Sequence, residues 1–189
     1  GYWNFDDGTA DDVTVSGSHG TVGGGAVIAA SDTPLSGGGG GAAGDNSILL
    51  DGVDDYVIMA GDPAALKLTG AMTIEAWFKH PAVDVAWPAV IASKAGPGGA
   101  SWVLDLSSVD GNLEFIAFGG NGASPSGALT AQNLNDGLWH HAAGVWDGSE
   151  PRLYIDGALA ATGPTTTGPL FDTTDSVAIG NDAALAAAT

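Results

Sequence analysis

Apolar and polar residues alternate with a period of two along most of the chain, which is the pattern of strands that bury one side and expose the other. Residues 72–80, MTIEAWFKH, show it well. One side of this segment is apolar and holds Met72, Ile74, Ala76 and Phe78. The other side holds Thr73, Glu75, Trp77 and Lys79. We therefore expect a half-buried strand here, with Trp77 on the polar side.

Similar short segments recur at even spacing, separated by turn signals such as Asp110-Gly111 and Asp156-Gly157. The further strand candidates are residues 2–5, 47–51, 55–60, 89–93, 101–108, 112–118, 128–134, 138–146, 153–161 (a hairpin) and 176–180. In residues 101–108 the alternation sets Trp102, Leu104 and Leu106 opposite Ser101, Val103 and Asp105. Helical periodicity is nearly absent, and Pro63 to Leu66 is a single candidate turn. About ten to twelve short strands predict an all-β fold, an antiparallel sandwich or barrel.

The glycine run Gly37–Gly41 has two interpretations. Glycine tracts are flexible and can link domains. Residues 1–36 are too short and too polar to form a domain alone, which favours an internal loop. We therefore expect a single domain over residues 1–189.

Charge narrows the range of partners. The chain carries 22 acidic residues against 4 Lys and Arg, for a net charge of −18. Such a surface repels the phosphates of nucleic acids and anionic lipid, so neither is expected as a partner. It suits Ca²⁺, which takes oxygen ligands, or solubility in a salty medium.

The chain has no cysteine, so neither a disulfide framework nor a thiolate zinc site is available. No apolar run approaches the roughly 18 residues of a membrane span, and no signal peptide is recognisable. The sequence opens on Gly1 rather than Met. A processed secreted protein and an excised domain would both look like this.

Seven sequence words, in this order, resemble the laminin-G-like, concanavalin A-type jelly-roll domains of secreted proteins. They are YWNFDDG (2–8), ILLDGVDDYVIM (48–59), MTIEAWFK (72–79), IASK (91–94), DGLWHHAAGVWDG (136–148), LYIDG (153–157) and VAIGN (177–181). The resemblance implies two facing, curved antiparallel sheets. It also implies a domain that binds glycans, proteins or copies of itself and that is usually not catalytic alone.

The resemblance further implies a closing strand after VAIGN that pairs with the N-terminal strand. Here VAIGN is followed by DAALAAAT, which carries no such word. Either the chain is a portion of a larger protein, or residues Tyr2–Phe5 form an open edge. An open edge recruits strands, so a neighbouring copy could complete the sheet and build a filament.

The adjacent histidines of the sixth word, His140 and His141, invite a metal site or a proton shuttle. In a strand, however, neighbouring side chains point to opposite faces, so the two cannot both bind one ion. We expect one ring to pack inward and the other to face out. The resemblance implies that this word serves the fold.

Hydrolases exist on the fold implied by the resemblance, and retaining glycosidases among them need two carboxyl groups about 5 Å apart, typically on one strand. The glutamates are Glu75, Glu114 and Glu150, and none has a carboxylate two to four residues away on its own strand. The chain has no nucleophile elbow and no phosphate loop. We therefore expect no enzyme, with an acidic glycosidase built on an unusual Asp pair as a remote alternative.

Carboxylate-rich turns at residues 5–12 and 50–56 are candidates for calcium. Ca²⁺ takes six to eight oxygens from carboxylates and loop carbonyls. The resemblance implies a structural ion near the N-terminal strand, with the candidate ligands Asp6, Asp51, Asp54 and Asp55. The alternative is that these residues are ordinary turn formers.

For a glycan, sugar rings stack on exposed aromatic side chains while amides and carboxylates hold the hydroxyls. Trp87 lies between two predicted strands and is the aromatic residue least explained by core packing. Phe118 precedes a glycine-rich loop in which Asn121 offers a polar contact. A hydrophobic lid is an equally good explanation of Trp87.

The sequence thus predicts an extracellular or cell-surface, non-catalytic module that recognises a glycan or an extracellular protein. The principal alternative is a structural subunit of an extracellular filament, completed by strand addition from a neighbour.

Overall fold

The computed structural model describes residues 1–29, 45–81, 89–106, 110–120, 122, 124–166 and 168–181. In chain order its strands are β1 (Thr21–Gly23), β2 (Val27–Ala29), β3 (Ser47–Leu49), β4 (Tyr56–Met59), β5 (Met72–Lys79), β6 (Ala89–Gly96), β7 (Gly99–Leu106), β8 (Asn112–Gly119), β9 (Ser124–Asn133), β10 (Trp139–Trp146), β11 (Pro151–Ile155), β12 (Ala158–Thr162) and β13 (Val177–Ile179). A short 3-10 helix spans Ala64–Leu66, where the sequence predicts one turn. No helix in these ranges is long and apolar enough to cross a membrane.

Two antiparallel sheets form the body of the fold, and a small β2–β3 pair accompanies them. One sheet has seven strands in the order β1-β4-β13-β6-β7-β8-β9, and the other has four in the order β12-β11-β10-β5. Strands β11 and β12 approach β8 and β9 of the larger sheet. The predicted all-β antiparallel sandwich is confirmed.

The core lies between the two sheets and follows the predicted alternation. The apolar residues of β7 and β8 that face inward are fully or almost fully buried: Trp102, Leu104, Leu106, Leu113, Phe115 and Ala117. Gly144 of β10 sets the local sheet spacing, because a Cβ at this position would lie 2.5 Å from the ring of Phe115. A residue without a side chain is therefore needed at position 144 for β10 to pack against β8.

One charged residue is also buried on the core side. Lys94 of β6 is 1% exposed, and its Nζ lies 2.6 Å from Oδ1 of Asp62 and 2.9 Å from the carbonyl oxygen of Asp175. Asp62 also pairs with Lys67, at 2.5 Å through its Oδ2. A buried ammonium needs such a partner, since an uncompensated charge in the interior is strongly destabilising.

The prediction of a strand over Tyr2–Phe5 is wrong: this segment is irregular. Phe5 adopts a positive φ of 61°, which is incompatible with an extended strand. The amide of Tyr2 donates to Oδ1 of Asp12 and its carbonyl accepts from Val13, each at 3.0 Å. The backbone groups of Tyr2 are therefore bonded within the chain, which weakens the hypothesis of an open edge at this position.

Asp12 organises this irregular N-terminal segment. Its buried carboxylate accepts hydrogen bonds from the hydroxyls of Ser16 and Thr14 and from the amide of Ser18. Burial acts to raise the pKa of Asp12, but the hydrogen bonds from Ser16, Thr14 and the amide of Tyr2 outweigh it and hold the pKa far below its usual value. Hydrogen bonding to one carboxylate thus orders residues 12–18 and ties them to Tyr2, at the start of the segment predicted to be a strand.

Candidate functional site

The outer face of the four-stranded sheet presents an aromatic surface. Trp77 of β5 is 49% exposed, and its ring lies 5.2 Å, centroid to centroid, from that of His141 in β10. The two residues are direct cross-strand partners. Large aromatic side chains are normally well buried, so a half-exposed Trp on a regular strand marks a surface available to a ligand.

The neighbouring strands extend this surface. Tyr154 of β11 is half-buried, and by register it lies between Ala143 of β10 and Leu159 of β12, which is 56% exposed. Alternation places all three on the side that carries Trp77 and His141. We call Trp77, His141, Tyr154 and Leu159 together the aromatic face.

Polar groups border the aromatic face. Oε2 of Glu75, the residue two positions before Trp77, lies 3.7 Å from Nε2 of His141. The side chain of Glu75 is mostly exposed, and that of His141 is partly exposed. A carboxylate and an imidazole beside a ring supply the acceptors and donors that sugar hydroxyls need.

His140, the other member of the histidine pair, points into the protein. Its ring is buried near Phe78, with Nδ1 at 2.9 Å from Oδ2 of Asp156 and Nε2 at 3.3 Å from the carboxylate of Asp136. Burial acts to lower the pKa of His140, but the hydrogen bonds with Asp156 and Asp136 raise it overall. The two rings lie on opposite faces of β10, as the alternation predicts, and they do not converge on one ion.

Asp156 links the two histidines. While its Oδ2 bonds the ring of His140, its Oδ1 accepts a hydrogen bond from the backbone amide of His141 at 2.9 Å. The turn between β11 and β12 is thereby tied to the strand that carries His141. This tie positions one side of the aromatic face.

Three of the four predicted calcium ligands come together. Oxygen atoms of Asp51, Asp54 and Asp55 lie within 4.8 Å of one another. Asp55 is 6% exposed, and its Oδ2 accepts a hydrogen bond from the amide of Asp51 at 2.7 Å. No described residue donates a hydrogen bond to its Oδ1. Asp6 is not in this group, and its carboxylate accepts hydrogen bonds from Asn4 and from the amide of Asn46.

A comparison with known protein families agrees with the observed fold. A laminin G-type family model, described as the concanavalin A-like lectin/glucanases superfamily, matches residues 51–189, which is more than half of the chain. The chain belongs to this superfamily. Comparison with curated proteins returned no sequence match.

Solved structures share the jelly-roll fold of the superfamily. Domain 4 of an extracellular arabinanase from Geobacillus stearothermophilus, in complex with arabinotriose, matches with a TM-score of 0.68 at 18% identity, covering 95% of this chain and 82% of that one. The binding domain of Paraclostridial Mosquitocidal Protein 1 matches with a TM-score of 0.58 at 13% identity, covering 94% and 50%. A Ruminococcus gnavus sialidase carbohydrate-binding module, bound to α2,3-sialyllactose, matches with a TM-score of 0.52 at 15% identity, covering 66% and 70%.

Of the three residues predicted to bind a glycan, the structure describes one. Trp87 and Asn121 lie outside the described residues. Phe118 is half-buried near the end of β8, where alternation with the core residue Ala117 puts it on the outer face of the seven-stranded sheet. The structure therefore separates Phe118 from the aromatic face, which lies on the other sheet. The period-two pattern of residues 72–80 already predicts that Trp77 points outward. Trp77 is more exposed than Phe118, so this pattern is the signal that identifies the aromatic face.

Proposed function

We propose that this domain is a non-catalytic glycan-binding module whose aromatic face holds the sugar. The observation that carries the proposal is the half-exposed ring of Trp77 on a regular strand, beside the ring of His141. Sugar rings present a face of C–H groups that packs on aromatic rings, and their hydroxyls bond to neighbouring polar groups. Glu75 and His141 supply such groups at the border of the face.

Two of the structurally similar domains support the proposal. The arabinanase domain was solved with arabinotriose, and the sialidase module with sialyllactose. These ligands belong to those proteins, whose identity to this chain is below 20%. They illustrate that a module of this fold can present a glycan site.

A binding role fits the aromatic face better than a catalytic one. Chemistry on a glycosidic bond is favoured by a site that excludes water and positions two carboxyl groups. The side chain of Glu75, the acidic residue that borders the face, is 68% exposed. We place the module outside the cell, where glycans and extracellular proteins are its partners and where its strong negative charge favours solubility.

Trp77→Ala is expected to weaken glycan binding by at least about 2 kcal/mol, roughly 30-fold in Kd, because buried Trp contacts dominate many binding sites. The measurement is a glycan-array screen followed by calorimetry on the best ligand. Tyr2→Ala, which removes another exposed aromatic residue, is the control and should bind normally. If Phe118→Ala abolishes binding while Trp77→Ala does not, the site lies on the seven-stranded sheet and the aromatic face is not the site.

We also propose that Asp51, Asp54 and Asp55 hold a structural Ca²⁺. Three carboxylates whose oxygens lie within 4.8 Å of one another repel each other unless a cation joins them. The buried Oδ1 of Asp55, to which no described residue donates, supports the proposal. Backbone carbonyls and water would complete the six to eight ligands that Ca²⁺ takes.

Adding Ca²⁺ to protein treated with EDTA is expected to raise Tm by several degrees, because a ligand that binds the folded state stabilises it. Differential scanning calorimetry gives the shift. Asp54→Asn should abolish the shift, whereas Asp6→Asn, outside the group, should keep it. Equal melting temperatures with and without Ca²⁺ would refute the calcium site and leave the proposed glycan function untouched.

A further inference from the structure

A second pair of acidic side chains lies on the outer face of the seven-stranded sheet. Asp105 of β7 and Glu114 of β8 are direct cross-strand partners. Each alternates with buried core residues, Leu104 and Leu106 in β7 and Leu113 and Phe115 in β8, so both point away from the core. Side chains directly opposite each other across a strand pair have Cβ atoms about 4.5–5.5 Å apart, and like charges there repel.

Asp105 is the member of the pair that has a buried oxygen without a hydrogen bond from any described residue. It is 9% exposed although it lies on the outer face, and no described residue donates a hydrogen bond to its buried Oδ1. A buried, unpaired carboxylate is costly, so its presence calls for a group that neutralises it. Burial and the neighbouring charge of Glu114 raise the pKa of Asp105 to about 7.

Glu114 connects this buried carboxylate with the surface. A Cβ built on Gly127 of β9 would lie 2.6 Å from Oε1 of Glu114, so the carboxylate occupies the space above a residue without a side chain. Leu129, the β9 partner of Glu114, is 51% exposed, which shows that the face is open to solvent on this side. A ligand can therefore approach the pair from the side of Glu114, over β9.

We propose that Asp105 and Glu114 form a binding site for a ligand ammonium group, and that the ligand is a glycan carrying free amino sugars. An ammonium donates three hydrogen bonds and carries one positive charge, which matches two adjacent carboxylates. Val103 and Ile116, the next outward-facing pair on the same two strands, provide an apolar surface for the sugar ring beside it. A divalent metal ion would need more oxygen ligands than this pair offers.

On binding, the ammonium replaces the proton that the carboxylate pair holds near neutral pH, and that proton is released to solvent. The charge-assisted hydrogen bonds then reach both Glu114 and the buried Asp105. The choice of a glycan as the ligand rests on the proposed function, whereas the ammonium site itself rests on the geometry of the pair.

The experiment compares the trisaccharide of glucosamine with the trisaccharide of N-acetylglucosamine by calorimetry at neutral pH, where protons compete less for the carboxylate pair than they do in acid. The two probes share their rings and linkages and differ in the charge that acetylation removes. We expect the free amine to bind about tenfold more tightly. Asp105→Asn and Glu114→Gln should each remove this preference. Asp11→Asn, which removes one exposed charge in the N-terminal segment, away from both proposed sites, should leave it intact.

Equal affinity for the two trisaccharides would overturn the proposal. A preference that survives both Asp105→Asn and Glu114→Gln would also overturn it, since the overall charge of −18 would then explain the attraction. Carboxyl carbon-13 shifts of Asp105 and Glu114 on adding glucosamine locate the contact independently. If the preference is absent but Trp77→Ala still abolishes binding of a neutral glycan, the ammonium site fails and the glycan function stands. If Trp77→Ala changes nothing while Asp105→Asn removes the amine preference, the ammonium site stands and the aromatic face is not the glycan site.

Discussion

Asp62→Asn is expected to lower the free energy of unfolding by about 3 kcal/mol, because it leaves the buried ammonium of Lys94 without its counter-charge. Burial acts to raise the pKa of Asp62, but the hydrogen bonds and charges of Lys67 and Lys94 lower it overall, so the carboxylate is ionised at neutral pH. Asparagine keeps the shape of the side chain and tolerates the positive φ of 52° at this position. The loss therefore reports the missing charge rather than backbone strain.

Urea denaturation at neutral pH measures this loss. Lys67→Ala removes the more exposed partner of Asp62 and should cost less than about 1 kcal/mol, since exposed ion pairs contribute little. Adding Lys94→Met to Asp62→Asn should recover much of the stability, because an apolar side chain of similar length fills the same space. A double variant as unstable as Asp62→Asn alone would show that the buried charge is not the cause.

Asp105→Asn is expected to make the protein more stable at alkaline pH, by an amount on the order of 4 kcal/mol. Burial and the charge of Glu114 raise the pKa of Asp105 from its ordinary 3.8 to about 7. Between these two pH values the folded protein holds a proton that the unfolded chain has lost. The stability that the protonated Asp105 contributes to the folded state is thus fully present below about pH 4 and is lost as the pH rises through about 7.

Denaturation curves at a series of pH values test this expectation. Wild type and Asp105→Asn should have similar free energies of unfolding at the acid end and diverge towards the alkaline end. Glu114→Gln should reduce the divergence in part, because it removes the neighbouring charge but not the burial. Parallel curves for wild type and Asp105→Asn would contradict the account of this pair.

The sandwich itself could be predicted from residue alternation. In β5 the pattern places Met72 and Phe78 inward and Trp77 outward, and the structure agrees at each position. In β10 the same rule separates His140 from His141. Period-two alternation works here because one face of each sheet packs on a continuous core.

The N-terminal segment shows where alternation fails. The apparent pattern in residues 2–5 is four residues long, and hydrogen bonds to the distant carboxylate of Asp12 override it. Conversely, β1 and β2 are three residues each, so they carry too little pattern to predict. Very short segments depend on their tertiary contacts.

The candidate sites were only partly predictable for a related reason. Asp51, Asp54 and Asp55 are close in sequence, so their grouping could be foreseen. Asp105 and Glu114 lie on different strands and meet through register, which a search along single strands cannot find. The pairing of Asp62 with Lys94 spans 32 positions and depends on tertiary packing in the same way.

The most direct test of the account is a nitrogen-15 NMR titration of the indole N–H groups of the six tryptophans with the glycan that binds best. We expect the signal of Trp77 to shift in a saturable manner, while those of the buried Trp102 and Trp146 remain in place. Saturable binding that leaves the Trp77 signal unchanged would contradict the claim that the aromatic face holds the sugar.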